Sequence, residues 1–183
     1  PGAGAEGFGG DDARTSIFDY WSMPEFVKWV NDHKYDGAHL SVAQREIREF
    51  YGRLVNLIGQ PAFADGKFLA LNPANHDNER FGRLPGEEAS GHWLYAFLRY
   101  DIAAEQRFLV VANLHPAIAF DDVRILLPPA ALQFLQLQHV PLTLIERLSG
   151  ATERVNVSSN QAVNAGIPIA QISRLSALYF EFA

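Results

Sequence analysis

The sequence predicts a mainly β chain, an antiparallel sandwich or barrel preceded by two α-helices. Two apolar runs, residues 93–98 (WLYAFL) and 108–112 (FLVVA), flank a polar connection at 101–106, the pattern of two antiparallel strands and a tight loop. About seven or eight short runs of this kind, set apart by turn residues, fill the chain after residue 66. Before residue 60 the apolar period is helical. Neither run of the hairpin alternates apolar with polar residues. Strands apolar on both faces belong in the middle of a sheet that is covered on both sides, so the hairpin is expected at the centre of the core, with later strands and something N-terminal packed onto it.

Taken in order, residues 1–16 carry five glycines together with Glu6, Asp11 and Asp12, a density incompatible with helix or strand. The spacing matches neither a phosphate loop nor a calcium loop, and the segment reads as a flexible loop cut from within a longer protein. A helix is expected from Ser22, which caps it, with Pro24 in the first turn and Glu25 completing a capping box. Phe26, Trp29 and Val30 share one face, and Gly37 follows its end. A second capping box, Ser41-Val42-Ala43-Gln44, opens a longer helix. There Ile47, Phe50, Tyr51, Leu54, Leu57 and Ile58 recur at three- and four-residue steps, with Arg45, Glu46, Arg48, Glu49 and Arg53 opposite. Gly59 and Pro61 end it. Its apolar stripe needs cover, either from a partner upstream of this chain or from the sheet. Strands are expected at 68–71, in the hairpin, and at 122–127, 142–148, 154–157, 167–172 and 175–182. A polar loop spans 72–91, and residues 130–137 form one or two helical turns. The organisation is therefore a glycine-rich loop and helices over 1–60, then an all-β domain over 61–183.

Composition narrows the function. The net charge of −6 arises from 15 basic and 21 acidic residues without a basic cluster, which excludes the concentrated Lys and Arg that nucleic-acid backbones require. No Cys is present, so disulfides, thiolate catalysis and Cys-ligated zinc are excluded, although this does not settle the compartment. No apolar run reaches the roughly 18–20 residues of a membrane-spanning helix. Neither a G-x-S-x-G nucleophile elbow nor a dinucleotide-binding G-x-G-x-x-G turn occurs in the required setting, and no cofactor is assigned.

Three places invite chemistry. Asn75-His76-Asp77-Asn78-Glu79 sets an imidazole beside carboxylates, but neighbouring residues of an extended loop point in different directions, and a solvated loop is the reading. His33, His39, His92, His115 and His139 are scattered, and no pair has the spacing that places two imidazoles on one helix face, so no metal site is assigned. Tyr20, Trp21 and Trp29 cluster at the first helix. Such aromatics serve most often in cores or interfaces, and they are the candidate sugar-stacking residues of the chain.

Two groups of segments resemble glycoside hydrolase family 13, the α-amylase type. Arg14-Thr15-Ser16-Ile17-Phe18-Asp19-Tyr20-Trp21, with Pro24-Glu25, Lys28-Trp29-Val30-Asn31, Tyr35-Asp36-Gly37 and Leu40-Ser41, is similar to the end of that family's catalytic barrel. The later segment 72–78, Tyr95-Ala96-Phe97-Leu98-Arg99-Tyr100 and Arg107-Phe108-Leu109-Val110-Val111-Ala112-Asn113 are similar to the sandwich domain that follows the barrel. The resemblance covers nearly the whole chain. It implies an antiparallel, Greek-key-like β-sandwich preceded by two α-helices left over from a (β/α)8 barrel. It implies a parent that cleaves or transfers α-glucosidic bonds with retention, through a carboxylate nucleophile and a carboxylic acid about 5–5.5 Å apart. Both motifs lie upstream in the family, so no catalytic residue is expected here. Asn75-His76-Asp77 copies the letters around the family's third Asp but falls after the helices rather than before them, a coincidence. A barrel needs about 250 residues, so this chain cannot hold one. The implied partners are the N-terminal catalytic barrel of the same parent and an α-glucan, with self-association through Ile47, Phe50, Leu54 and Ile58 if that stripe is left open.

Overall fold

The computed structural model describes residues 28, 34–89, 93–149 and 153–183. The helix expected from Ser22 lies outside the described residues apart from Lys28, which is helical. Two compact units are present, Pro1–Gly52 and Arg53–Ala183. In the first, a turn closed by the Leu40 N–H on the Gly37 carbonyl (3.0 Å) leads to helix α1, Val42–Ile58, which continues into the second unit. Its start is the capping box read from the sequence. The Gln44 N–H donates to Ser41 Oγ at 3.2 Å, and the Ser41 N–H donates to Gln44 Oε1 at 2.9 Å.

The second unit is mainly β. Helix α2 (Pro61–Ala64) leads into β1 (Lys67–Ala70), and a 3-10 turn (Asn72–Asn75) follows. Then come β2 (Leu94–Asp101), β3 (Gln106–Asn113), β4 (Phe120–Ile125), helix α3 (Pro129–Leu135), β5 (Pro141–Glu146), β6 (Arg154–Ser158), helix α4 (Ser159–Asn164), β7 (Ile167–Ile172) and β8 (Ser176–Phe182). Six strands form one sheet in the order β1-β2-β3-β8-β5-β6, and β4 pairs with β7 in a second. Every pairing is antiparallel. The chain leaves the large sheet after β3 for β4, returns as the β5–β6 hairpin, leaves again for β7 and comes back as β8 between β3 and β5, so consecutive hairpins do not account for the order. One continuous core lies between the sheets: Leu94, Ala96, Leu98, Leu109, Val111, Leu144 and Phe180 face Val123, Ile125, Ile167 and Ile169. The expected antiparallel sandwich is the fold.

The hairpin prediction holds for one strand and is corrected for the other. In β3, Phe108, Leu109, Val110 and Val111 are all buried, so both faces are covered. In β2 burial alternates: Leu94, Ala96 and Leu98 are buried, while Tyr95 is 39% exposed. The reason is position, since β2 has only the four-residue edge strand β1 beyond it. The outward aromatics of β2 therefore keep one side open to solvent and pack along the surface, Phe97 lying 5.3 Å from Phe68 and 5.6 Å from Tyr95 between ring centroids.

The outer face of β3 is covered by the helical approach to the sheet. Leu57, Ala62, Phe108 and Leu148 form a second buried cluster, with Leu54, Phe63 and Tyr179 around it. Phe63 stacks at a tilt on Phe108, 4.9 Å between centroids. Arg53 Nε donates to the Leu148 carbonyl at 2.8 Å. Emptying such a site by Phe→Ala substitution costs about 3–5 kcal/mol in comparable cores. Of the two covers foreseen for the apolar stripe, the sheet supplies the one at the C-terminal end of α1. Ile47, Phe50 and Ile58 remain exposed. Beneath this cluster Glu146 is 3% exposed, its carboxylate accepting from the N–H groups of Leu148 (2.8 Å), Ser149 (2.8 Å) and Tyr179 (3.2 Å) and from the Ser149 hydroxyl. A buried carboxylate is tolerated when its lone pairs are filled in this way.

Burial pushes the Tyr179 phenol above its ordinary value, because desolvation penalises the phenolate. A raised folded-state value stabilises the fold below the unfolded phenol's pKa, and that stabilisation is lost as pH rises through the folded value. Urea unfolding as a function of pH should therefore show a loss of stability above about pH 10 that is smaller in Tyr179→Phe than in the parent chain. Equal losses in the two proteins would contradict the assignment.

Candidate functional site

A cleft of about 370 Å³ is lined by Asp65, Gly66, Lys67, Tyr100, Asp101, Ile102 and Phe134. Each wall has a local cause. Helix α2 begins at Pro61, whose fixed φ suits the first turn, and ends at Asp65, whose N–H returns to the Pro61 carbonyl at 3.1 Å. Two side chains from the hairpin hold this helix in place. Gln106 Oε1 accepts from the Ala62 N–H (3.0 Å), and Arg99 donates to the carbonyls of Ala62 (2.9 Å) and Phe63 (2.6 Å), filling orphan acceptors at the helix end. Gly66 then passes close to β2: a Cβ there would lie 2.7 Å from the Tyr100 carbonyl, so no other residue fits without displacing backbone. Lys67 opens β1 opposite Tyr100.

The second wall is the β2–β3 turn. Asp101 Oδ1 accepts from the Ala104 N–H at 3.1 Å, and Glu105 takes a left-handed φ of 55° to close the turn. The third wall is α3, which buries Ala131, Leu132 and Leu135 in the core and turns Phe134 outward, 48% exposed. The Arg107 guanidinium donates to the Leu135 carbonyl at 2.6 Å and fixes that helix to β3. An aromatic pair, two carboxyls and one ammonium therefore meet on a braced frame. Asp65 is exposed, and Asp101 is half-buried and engaged in the turn.

A second, shallower groove of about 610 Å³ runs past His139, Thr143, Asn156, Ser158, Asn160 and Gln161. Its side chains partly satisfy one another, Thr143 Oγ1 bonding Asn156 Oδ1 at 2.9 Å and Ser158 Oγ capping α4 through the Gln161 N–H at 3.0 Å.

The sugar-stacking candidates Tyr20, Trp21 and Trp29 lie outside the described residues. Asn75-His76-Asp77 resolves into unlike parts. Asn75 is 0% exposed, and its amide donates to the carbonyls of Leu71 (2.9 Å) and Leu126 (3.0 Å) while accepting from the N–H of Leu126 (2.8 Å) and from Asn78 Nδ2 (2.9 Å). His76 and Asp77 are exposed. The sequence predicts a solvated loop here. That holds for His76 and Asp77, whereas Asn75 and Asn78 are clamps on β4, Asn78 donating to the Arg124 carbonyl at 2.8 Å. No cluster of three or more potential metal-ligating side chains occurs among the described residues. No described helix is long and apolar enough to cross a membrane. His39 and His139 are exposed, while His115 Nδ1 accepts from the Ala117 and Ile118 N–H groups (3.0 and 2.8 Å) and shapes the β3–β4 turn.

No protein-family model matches this chain, and no curated protein matches it. A solved structure, the galactosidase domain of alpha-galactosidase-sucrose kinase (AgaSK), is similar with a TM-score of 0.46 and 15% identity, over 79% of this chain and 16% of that one. This chain thus spans about a sixth of that protein's length, and nothing in the comparison points to the α-amylase type.

The clamp and the exposed pair should separate by mutation. Asn75→Ala removes the partners of the Leu126 N–H and the Leu126 carbonyl and should destabilise by about 2–4 kcal/mol in urea titration, whereas Asp77→Ala should change stability by less than about 0.5 kcal/mol. Similar small effects for both would mean that the amide is not a clamp.

Proposed function

We propose that this chain is the non-catalytic C-terminal part of a glycoside hydrolase of the α-amylase type, a sandwich that braces an upstream catalytic barrel and leaves the chemistry to it. The observation that carries this reading is the divided use of α1. Its C-terminal end is committed to the sandwich through the 5% exposed Leu57 and the bond from Arg53 to the Leu148 carbonyl, while Ile47, Phe50 and Tyr51 stand 51%, 39% and 57% exposed. Apolar residues repeated at helical spacing on an open face mark a surface that has a partner. The order of motifs that resembles the family supplies the identity of that partner, the barrel of the same parent.

In this reading the domain belongs to an enzyme of α-glucan breakdown or transfer, and the chain itself contributes stability. The test is turnover. Purified chain incubated with starch and maltooligosaccharides should release no reducing sugar above the blank. Release that co-purifies with the chain and falls in Asp65→Asn or Asp101→Asn would overturn the proposal. Self-association through Ile47, Phe50, Leu54 and Ile58, measured by light scattering and relieved by Ile47→Glu, would instead assign the open stripe to a second copy.

A further inference from the structure

We infer that the cleft formed by Asp65, Lys67, Tyr100, Asp101 and Phe134 is a binding site for one ring of a neutral saccharide. Phe134 is the starting observation. On α3 the neighbours Ala131, Leu132 and Leu135 enter the core, yet the one ring on this helix faces the cleft and is nearly half exposed. Packing does not require it there. Tyr100 supplies a second aromatic wall, rooted in the core on its inner side. A pyranose ring presents apolar C–H faces and a rim of hydroxyls, so it matches a site whose walls are aromatic and whose rim is polar.

The rim has the corresponding groups. Asp65 and Asp101 offer carboxylate oxygens, acceptors well matched to vicinal hydroxyls, and Lys67 offers an ammonium donor. Asp101 accepts the Ala104 N–H on Oδ1 in the turn, which fixes the orientation of its carboxyl at the rim. Two carboxyls beside one ammonium disfavour an anionic ligand. The volume of about 370 Å³ lies at the small end of ligand pockets, the size of a ring or two. The frame is held by Arg99, Gln106 and Arg107 before any ligand arrives, so binding orders little. The site would anchor substrate near an enzyme without reacting with it. It does not rest on the bracing role, since an inert sandwich and a sugar-binding sandwich give the same result in the turnover assay.

The test is a titration of the whole chain with maltotriose and, separately, with lactose, followed by amide chemical shifts. Shifts at Gly66, Lys67 and Ile102 are expected for at least one sugar. Phe134→Ala should weaken that binding about tenfold with the thermal midpoint unchanged. Phe68→Ala, which removes an exposed ring from the sheet's outer face, should leave it as it was. Absence of shifts with either sugar at millimolar concentration, shifts confined to the groove from His139 to Gln161, or affinity unaltered by Phe134→Ala would overturn the assignment. So would choline competing for the cleft more strongly than either sugar, because that would identify a cation site.

Discussion

The strand β3 is apolar on both faces, and that single constraint organises the second unit. Its inward residues Leu109 and Val111 need the small sheet, and its outward residues Phe108 and Val110 need something else. The end of α1 and the short helix α2 meet the need at Phe108, placing Leu57, Ala62 and Phe63 where solvent would otherwise reach an aromatic ring. Burying a side chain of this size is worth about 1.5–3 kcal/mol, comparable with a sizeable share of a domain's net stability. The sandwich and the helix end that approaches it are therefore one folding problem.

Polar groups then determine how the elements meet. The approach to the sheet is tied by Arg53, Arg99 and Gln106, all bonding backbone rather than other charges. The opposite connection, after β1, is tied by side-chain amides. Asn72 donates to the Leu94 carbonyl and accepts from the Ala96 N–H, extending the β1 ladder by a side chain where the backbone has already turned away. Asn75 and Asn78 do the same for β4, and buried Asn113 bridges the carbonyls of Ile118 and Ile172. Amides carry both a donor and an acceptor, so one residue can serve an N–H and a carbonyl of the same passing strand. That capability accounts for the asparagines in a loop that composition alone marks as merely polar.

The longer elements were legible because their signals are local. The capping box at Ser41 and Gln44 and the helical period behind it locate α1, and the isoleucine-rich stretch 167–172 between turn residues gives β7 at its observed ends. The tertiary assignments were less accessible. That β2 stands next to a short edge strand, and so leaves Tyr95 in water, follows from strand order, which no single run encodes. The short helices at 61–64 and 159–164 fell below the length at which a period can be counted, although Ser158 followed by Gln161 is a capping signature that was there to be read. The cleft was invisible to motif reading. Its members come from the end of α2, the adjoining β1 and β2 residues, a hairpin turn and the solvent side of α3, and only the tertiary fold brings them together.

The account depends most on the helical approach being part of the sandwich and not a segment resting against it. A double-mutant cycle between Phe63 and Phe108, using Leu at each position and urea unfolding, measures this directly. Rings 4.9 Å apart in a shared core should be coupled by about 0.5–1.5 kcal/mol. Effects that add to within about 0.3 kcal/mol would show that the two residues sense each other no more than distant sites do, and the outer face of β3 would then need a different cover.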